Sequence, residues 1–274
     1  MKLHFHAQGP GRSIAVTIVA LLGLMSGQLM AAAPPPPVTL TPEQISKMLE
    51  EGANVLKQGN PELAIKNYFE PVNQFFMRQT AKAGANDEIY SSHGATETTA
   101  YTSKIAKQNE TAKTPTQLVT VDGAWTDALV LKARAQAALN HTDQAISTLD
   151  QATIISPAYP SPWLELGSVY QVKKDWEKSQ SAYHNAERFA GAVEDKAMQL
   201  QMLTAALRGQ AVAVTEIGRL DEAEALYKRS LKYDPNDSAA TAGIAHIVEL
   251  RGGPAPGTAV PGAAPATPPA TTPH

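Results

Sequence analysis

The feature that most constrains this chain is that its central part repeats itself. Ala145, Ser179 and Ala223 can be aligned as three small anchors. Four residues after each stands Leu149, Tyr183 or Tyr227, and three further on stands Ala152, Ala186 or Ser230. Twelve residues before each anchor lies another small residue, Ala133, Gly167 or Ala211, and four before that a large one, Leu129, Trp163 or Leu207. The first two anchors are 34 residues apart and the next two 44. A period of this size outranks any local reading, because each unit buries its apolar face only by stacking on its neighbours. Spacings of three and four predict paired amphipathic helices, with the small residues marking close crossings. Turns at 139–143 ("LNHTD"), 172–176 ("VKKDW") and 217–221 ("IGRLD") separate the two helices of each pair. Pro157 and Pro235 close two of the units, since proline lacks the N–H that would continue a helix.

The stretch "WLELGSVY" (163–170), followed by Ser179, Tyr183 and Ala186, resembles the tetratricopeptide repeat in period and in its W-x2-L-G-x2-Y signature. The resemblance implies an all-α fold, a right-handed α-solenoid of stacked helix-turn-helix pairs. Its units fall at 126–159, at 160–203 with an extended second helix, and at 204–237, with 238–251 as a capping helix. A degenerate copy spans 41–78, where Gly52, Val55, Gly59, Ala64 and Tyr68 stand at the matching intervals. Pro71 departs from the pattern there and predicts a kink in the second helix. In the unit at 126–159, Lys132 and Gln136 stand where the family prefers apolar residues. The extra residues behind the 44-residue spacing, around "VEDKAMQLQM", read as helical. Between the first two units, residues 79–125 form an irregular insert without the repeat. Within it Thr96 is expected to cap a helix over about 97–107, and 117–121 reads as a short strand or an extended lead into the next helix.

The two ends have different compositions. Lys2 and Arg12 precede an uncharged run that closes on Ala31-x-Ala33, so residues 1–33 read as a secretory signal peptide and the chain as periplasmic or secreted. The alternative is an inner-membrane anchor over residues 13–33, which would be the chain's one association with a membrane. Residues 34–40 begin with four prolines and predict an extended spacer. Residues 252–274, rich in Pro and Ala, predict a disordered tail. The chain has no cysteine, which excludes a disulfide framework and a lipid-anchored start. A net charge of -3 gives no basic face for nucleic acid.

Patterns for phosphate loops, zinc sites and nucleophile turns are absent from the sequence, so no catalytic residue, metal or cofactor is assigned. The resemblance implies instead that the first helix of each pair lines a concave face that holds a protein or peptide partner. On this chain those positions are Asp127, Val130, Arg134 and Ala137, then Leu164, Ser168 and Gln171, then Arg208, Val212 and Thr215. Arg134 and Arg208 would orient the partner around an apolar centre. The expected function is an interaction scaffold of the bacterial cell envelope, in assembly or secretion. An alternative places an enzyme or small-ligand site in the insert at 84–122, on Tyr90, Ser91, His93, Glu97 and Tyr101. A third reading makes the insert padding for the solenoid. The repeating aromatics Trp163, Tyr170, Tyr183 and Tyr227 are assigned to packing.

Overall fold

The computed structural model describes residues 39–252. The predicted signal segment, most of the proline spacer and all but the first residue of the predicted tail lie outside them.

Helix α1 (Pro42–Lys57) starts on a reciprocal cap, in which the Thr41 hydroxyl accepts from the Gln44 amide and the Gln44 side chain accepts from the Thr41 amide. The next helix is interrupted. A short α2 (Pro61–Ala64) passes through a π-helical turn (Ile65–Phe69) into α3 (Glu70–Thr80). Pro71 has no N–H to give to the preceding turn, so the ladder widens just before it. The wider turn moves the wedge residue by one position. Phe69 is fully buried and Tyr68 only partly, and a Cβ placed on Gly52 would lie 2.5 Å from the Phe69 ring. The expected kink is therefore a π turn, and its wedge is Phe69 rather than the predicted Tyr68.

The all-α stack continues through α5 (Ala124–Ala138), α6 (Thr142–Ile155), α7 (Pro160–Val172), α8 (Trp176–Phe189), α9 (Lys196–Glu216), α10 (Leu220–Tyr233) and α11 (Ser238–Leu250). Helices adjacent in sequence pack against each other throughout this stretch, as in a solenoid. The small anchors Ala145, Ser179 and Ala223 are all fully buried, as are Ala186 and Ala211. Ser179 also donates to the Gly167 carbonyl of the facing helix at 3.0 Å. Each turn inside a pair is closed by one left-handed residue: Gly59, Asn140, Lys174 and Gly218, with φ of 81°, 60°, 57° and 80°. The following amide bonds back to the last helical turn each time, as Asp175 does to the Tyr170 carbonyl at 3.0 Å. The polar departures in the second unit are matched by partners. Lys132 pairs with Glu70 at 2.6 Å, and buried Gln136 accepts from Thr148 at 2.8 Å.

Three expectations need correction. The 44-residue spacing does not extend the second helix of 160–203. That helix stops at Phe189, a 3-10 turn follows at Ala190–Ala192, and the extra residues form the first turns of α9, 21 residues long. The insert is not irregular. It is a β1 (Asp87–Ser92), α4 (Ala95–Asn109), β2 (Gln117–Asp122) unit whose strands pair in parallel, Asp87 opposite Gln117 and Ser92 opposite Asp122. Finally, Thr96 is not the N-cap of α4, which begins at Ala95 after Gly94. The orphan amide of Thr96 donates instead to the Glu194 carboxylate at 3.1 Å, a cap supplied from 98 residues away.

Candidate functional site

The first helices α7 and α9 lie side by side and bound a groove of about 580 Å³, with single residues from α5, α8, α10 and α11 at its ends and floor. Helix α7 turns Ser161, Leu164, Ser168 and Gln171 toward it, and α9 turns Met198, Met202, Ala205, Gly209 and Val212. The steps along both helices alternate between three and four, so each stripe stays on one face over its whole length. The extra turns of α9 supply Met198, Gln201 and Met202, which a unit of regular length would lack. Met198 is 44% exposed and Val212 37%, so the rim is apolar and open to solvent. Tyr183 forms part of the floor. Its ring lies over the backbones of Gly167 and Gly209, and a Cβ on Gly167 would come within 2.7 Å of it. Gln171 seals the floor by donating to the Gly209 carbonyl at 3.2 Å.

Six of the eight principal positions expected on the concave face line this groove: Arg134, Leu164, Ser168, Gln171, Arg208 and Val212. Two do not. Val130 is buried, 3% exposed, and packs with Leu166 and Val169 in the core between α5 and α7. Asp127 bonds to His93 of the insert at 3.1 Å. The arginines are also less available than expected. Arg134 pairs with Glu165 at 2.6 Å, and Arg208 pairs with Asp237 at 2.6 Å. Asp237 is buried, accepts from Ser230 at 2.8 Å and caps α11 through the amides of Ala239 and Ala240. Burial would raise its pKa, but the bonds from Arg208, Ala240 and Ser230 outweigh that and hold it below the usual carboxylate value. Arg208 thus serves the fold first. Sequence reasoning missed the two methionines, although the spacing of 198, 202, 205, 209 and 212 carried the signal.

The insert's candidate residues do converge. Tyr90 stacks on Tyr101 with ring centres 4.4 Å apart. Tyr101 and Ser156 each donate to the buried Glu97 carboxylate, at 3.2 and 3.3 Å. His93 lies between Glu97 at 3.4 Å and Asp127 at 3.1 Å, with its ring stacked on Tyr159 at 3.7 Å. Burial disfavours the imidazolium, yet hydrogen bonds and charge from Asp127 and Glu97 prevail and raise the pKa to about 9. Ser91 is buried, and its carbonyl, 3.0 Å from the Ser156 hydroxyl, shares that group's single proton with Glu97. Every one of these groups is engaged with another, and the bonds run from the insert to α5 and the loop after α6. The arrangement joins the insert to the solenoid. Among the described residues no group of His, Asp and Glu is placed to hold a metal ion, and no helix is long and apolar enough to cross a membrane.

The family profile described as "Tetratricopeptide repeat" matches residues 206–239. Among solved structures, the nearly identical TPR-like repeats of a Podosopora anserina kinesin light chain are similar at a TM-score of 0.50 and 13% identity, over 78% of this chain and 90% of that one. MamA from Desulfovibrio magneticus RS-1 is similar at 0.47 and 12%, over 76% and 85%. The first TPR of Spaghetti (RPAP3), bound to the HSP90 peptide SRMEEVD, is similar at 0.42 and 21%, over 48% and 97%. Among curated protein sequences none matches. At such identities the likeness concerns the fold. Residues 206–239, from within α9 through α10, thus match the tetratricopeptide repeat, and the helices before them stack on their sequence neighbours in the same way.

Proposed function

We propose that this protein is a non-catalytic interaction scaffold that holds a segment of a partner protein in the groove between α7 and α9. The observation that carries the reading is an open groove between α7 and α9 whose rim gathers the exposed apolar side chains Met198 and Val212 along one helix. The β1-α4-β2 insert is an architectural element that ties the second unit to the third, supported by the His93 and Glu97 bonds and by the Glu194 cap. We further propose that the chain works in a bacterial envelope, as assembly or secretion factors do, on the strength of the charged start, apolar run and Ala-x-Ala end of residues 1–33.

A photo-crosslinking residue placed at Met198 or Val212 in cells should capture a defined partner. The same residue at Val172, 69% exposed but outside the groove, should not. Equal capture at all three positions contradicts the groove reading. Export is tested separately by fractionation, where a shortened periplasmic form is expected and a full-length cytoplasmic form would refute it.

A further inference from the structure

The chemistry of the groove specifies the conformation of its occupant. Resting on the function proposed above, we infer that the groove takes an amphipathic α-helix of about four turns with an uncharged apolar stripe, and that the overhanging turns of α9 select it.

Three observations lead there. First, the stripes of α7 and α9 both follow the three-four alternation that lets a third helix seat its side chains between those of two others. The α9 stripe runs from Met198 to Val212, which at helical rise is about 21 Å, or four turns. Second, the charged groups of the groove and Gln171 are already engaged within the protein, Arg134 by Glu165, Arg208 by Asp237 and Gln171 by the Gly209 carbonyl, which leaves Gln201 and serine hydroxyls as its available polar side chains. An extended peptide would bring its own N–H and C=O groups into a groove short of free partners for them. A helix satisfies those groups internally and presents only its side chains. Third, the same pairing leaves no uncompensated arginine or carboxylate on the groove wall, so a charged stripe would be buried without a counter-ion. Leu164, Met198, Met202 and Val212 offer apolar contact instead, and methionine adapts to stripes of differing shape.

Two peptide display libraries of equal size test this against the full chain. One varies the stripe positions of a 16-residue Ala/Gln helical framework, and the other varies a proline-containing extended framework with a free carboxyl end. Enriched binders should come from the helical library, carry Leu, Met or Phe on the stripe, and lose affinity by less than twofold between 0.05 and 0.5 M NaCl. Met202→Lys and, at the other end of the stripe, Val212→Lys should each weaken them at least tenfold with an unchanged melting profile. Because the two sites are far apart, misfolding of one variant does not remove the test. Enrichment from the extended library, acidic stripes or strong salt dependence overturns the helical assignment and leaves the scaffold reading standing. If neither library yields binders that the groove variants weaken, both fail.

Discussion

The Tyr183 ring is held between two glycine backbones, Gly167 of its own unit and Gly209 of the next. A Cβ on Gly209 would fall inside the ring's contact distance. The last unit repeats the contact with the following helix, Tyr227 against Gly243, with Ala211 in place of the first glycine. In the second unit the wedge is Leu149, and the corresponding position two residues before Gly167 is Glu165. In these two units the tyrosine ring takes a glycine from the following helix and Leu149 does not, whereas Phe69 has Gly52 of its own unit and packs on Ala135 and Leu131 of α5.

From this, Gly209→Ala should destabilise the protein by about 1–3 kcal/mol through overpacking, despite alanine's better helix propensity. Tyr183→Leu in the same chain should recover much of that loss. A double-mutant cycle by urea denaturation checks it, and additive effects would show that the ring and the glycine are not coupled.

His93 makes stability depend on pH. Its folded pKa, about 9, lies above the unfolded value of 6.5. The stabilisation is therefore fully present below pH 6.5 and lost as pH rises through 9, amounting to about 3 kcal/mol at most. The wild-type urea midpoint should fall between pH 7 and 9.5. His93→Gln should have a lower midpoint at pH 7 and a flatter profile, and an equally steep decline in that variant would reject the assignment.

Lys174 occupies a left-handed position with φ 57°, where the equivalent turns place Gly59, Asn140 and Gly218. A side chain with a Cβ is strained there. Lys174→Gly should stabilise the chain by about 0.5–1 kcal/mol, net of the entropy that glycine loses on folding. Thermal unfolding checks the sign.

Glu194 caps α4 from outside the insert. Glu194→Ala should cost about 0.5–1 kcal/mol and speed amide exchange in the first turn of α4, with little change in α9. Uniform acceleration across the solenoid would instead indicate that Glu194 supports the whole stack.

Contacts inside one unit were legible in the sequence, because both partners keep fixed offsets: Ser179 with Gly167 is the example. Contacts between units were less so. Gly209 and Gly243 stand 26 and 16 residues after their tyrosines, since the lengthened α9 intervenes in one case, and no single spacing reveals them. Pro71 announced a disturbance, but a π turn and a bend at that point leave the same trace in sequence, and only the turn moves the wedge to Phe69. Strand β1 went unread because "DEIYSS" carries one aliphatic residue and gains its order from β2, thirty residues on. His93 and Glu97 could be singled out by their setting. Their partners Asp127, Ser156 and Tyr159 could not, because tertiary structure alone brings them near. For the groove, side-chain type predicted Arg208 to be free, whereas Asp237 engages it.

The most direct measurement of the central claim is a methyl spectrum of the protein, labelled at its seven methionines, recorded while the cross-linked partner segment is added. Met198 and Met202, on the groove wall, should shift or broaden, while Met77, 56% exposed on α3, stays in place. Movement of Met77 with Met198 and Met202 unchanged would place the partner elsewhere and contradict the account.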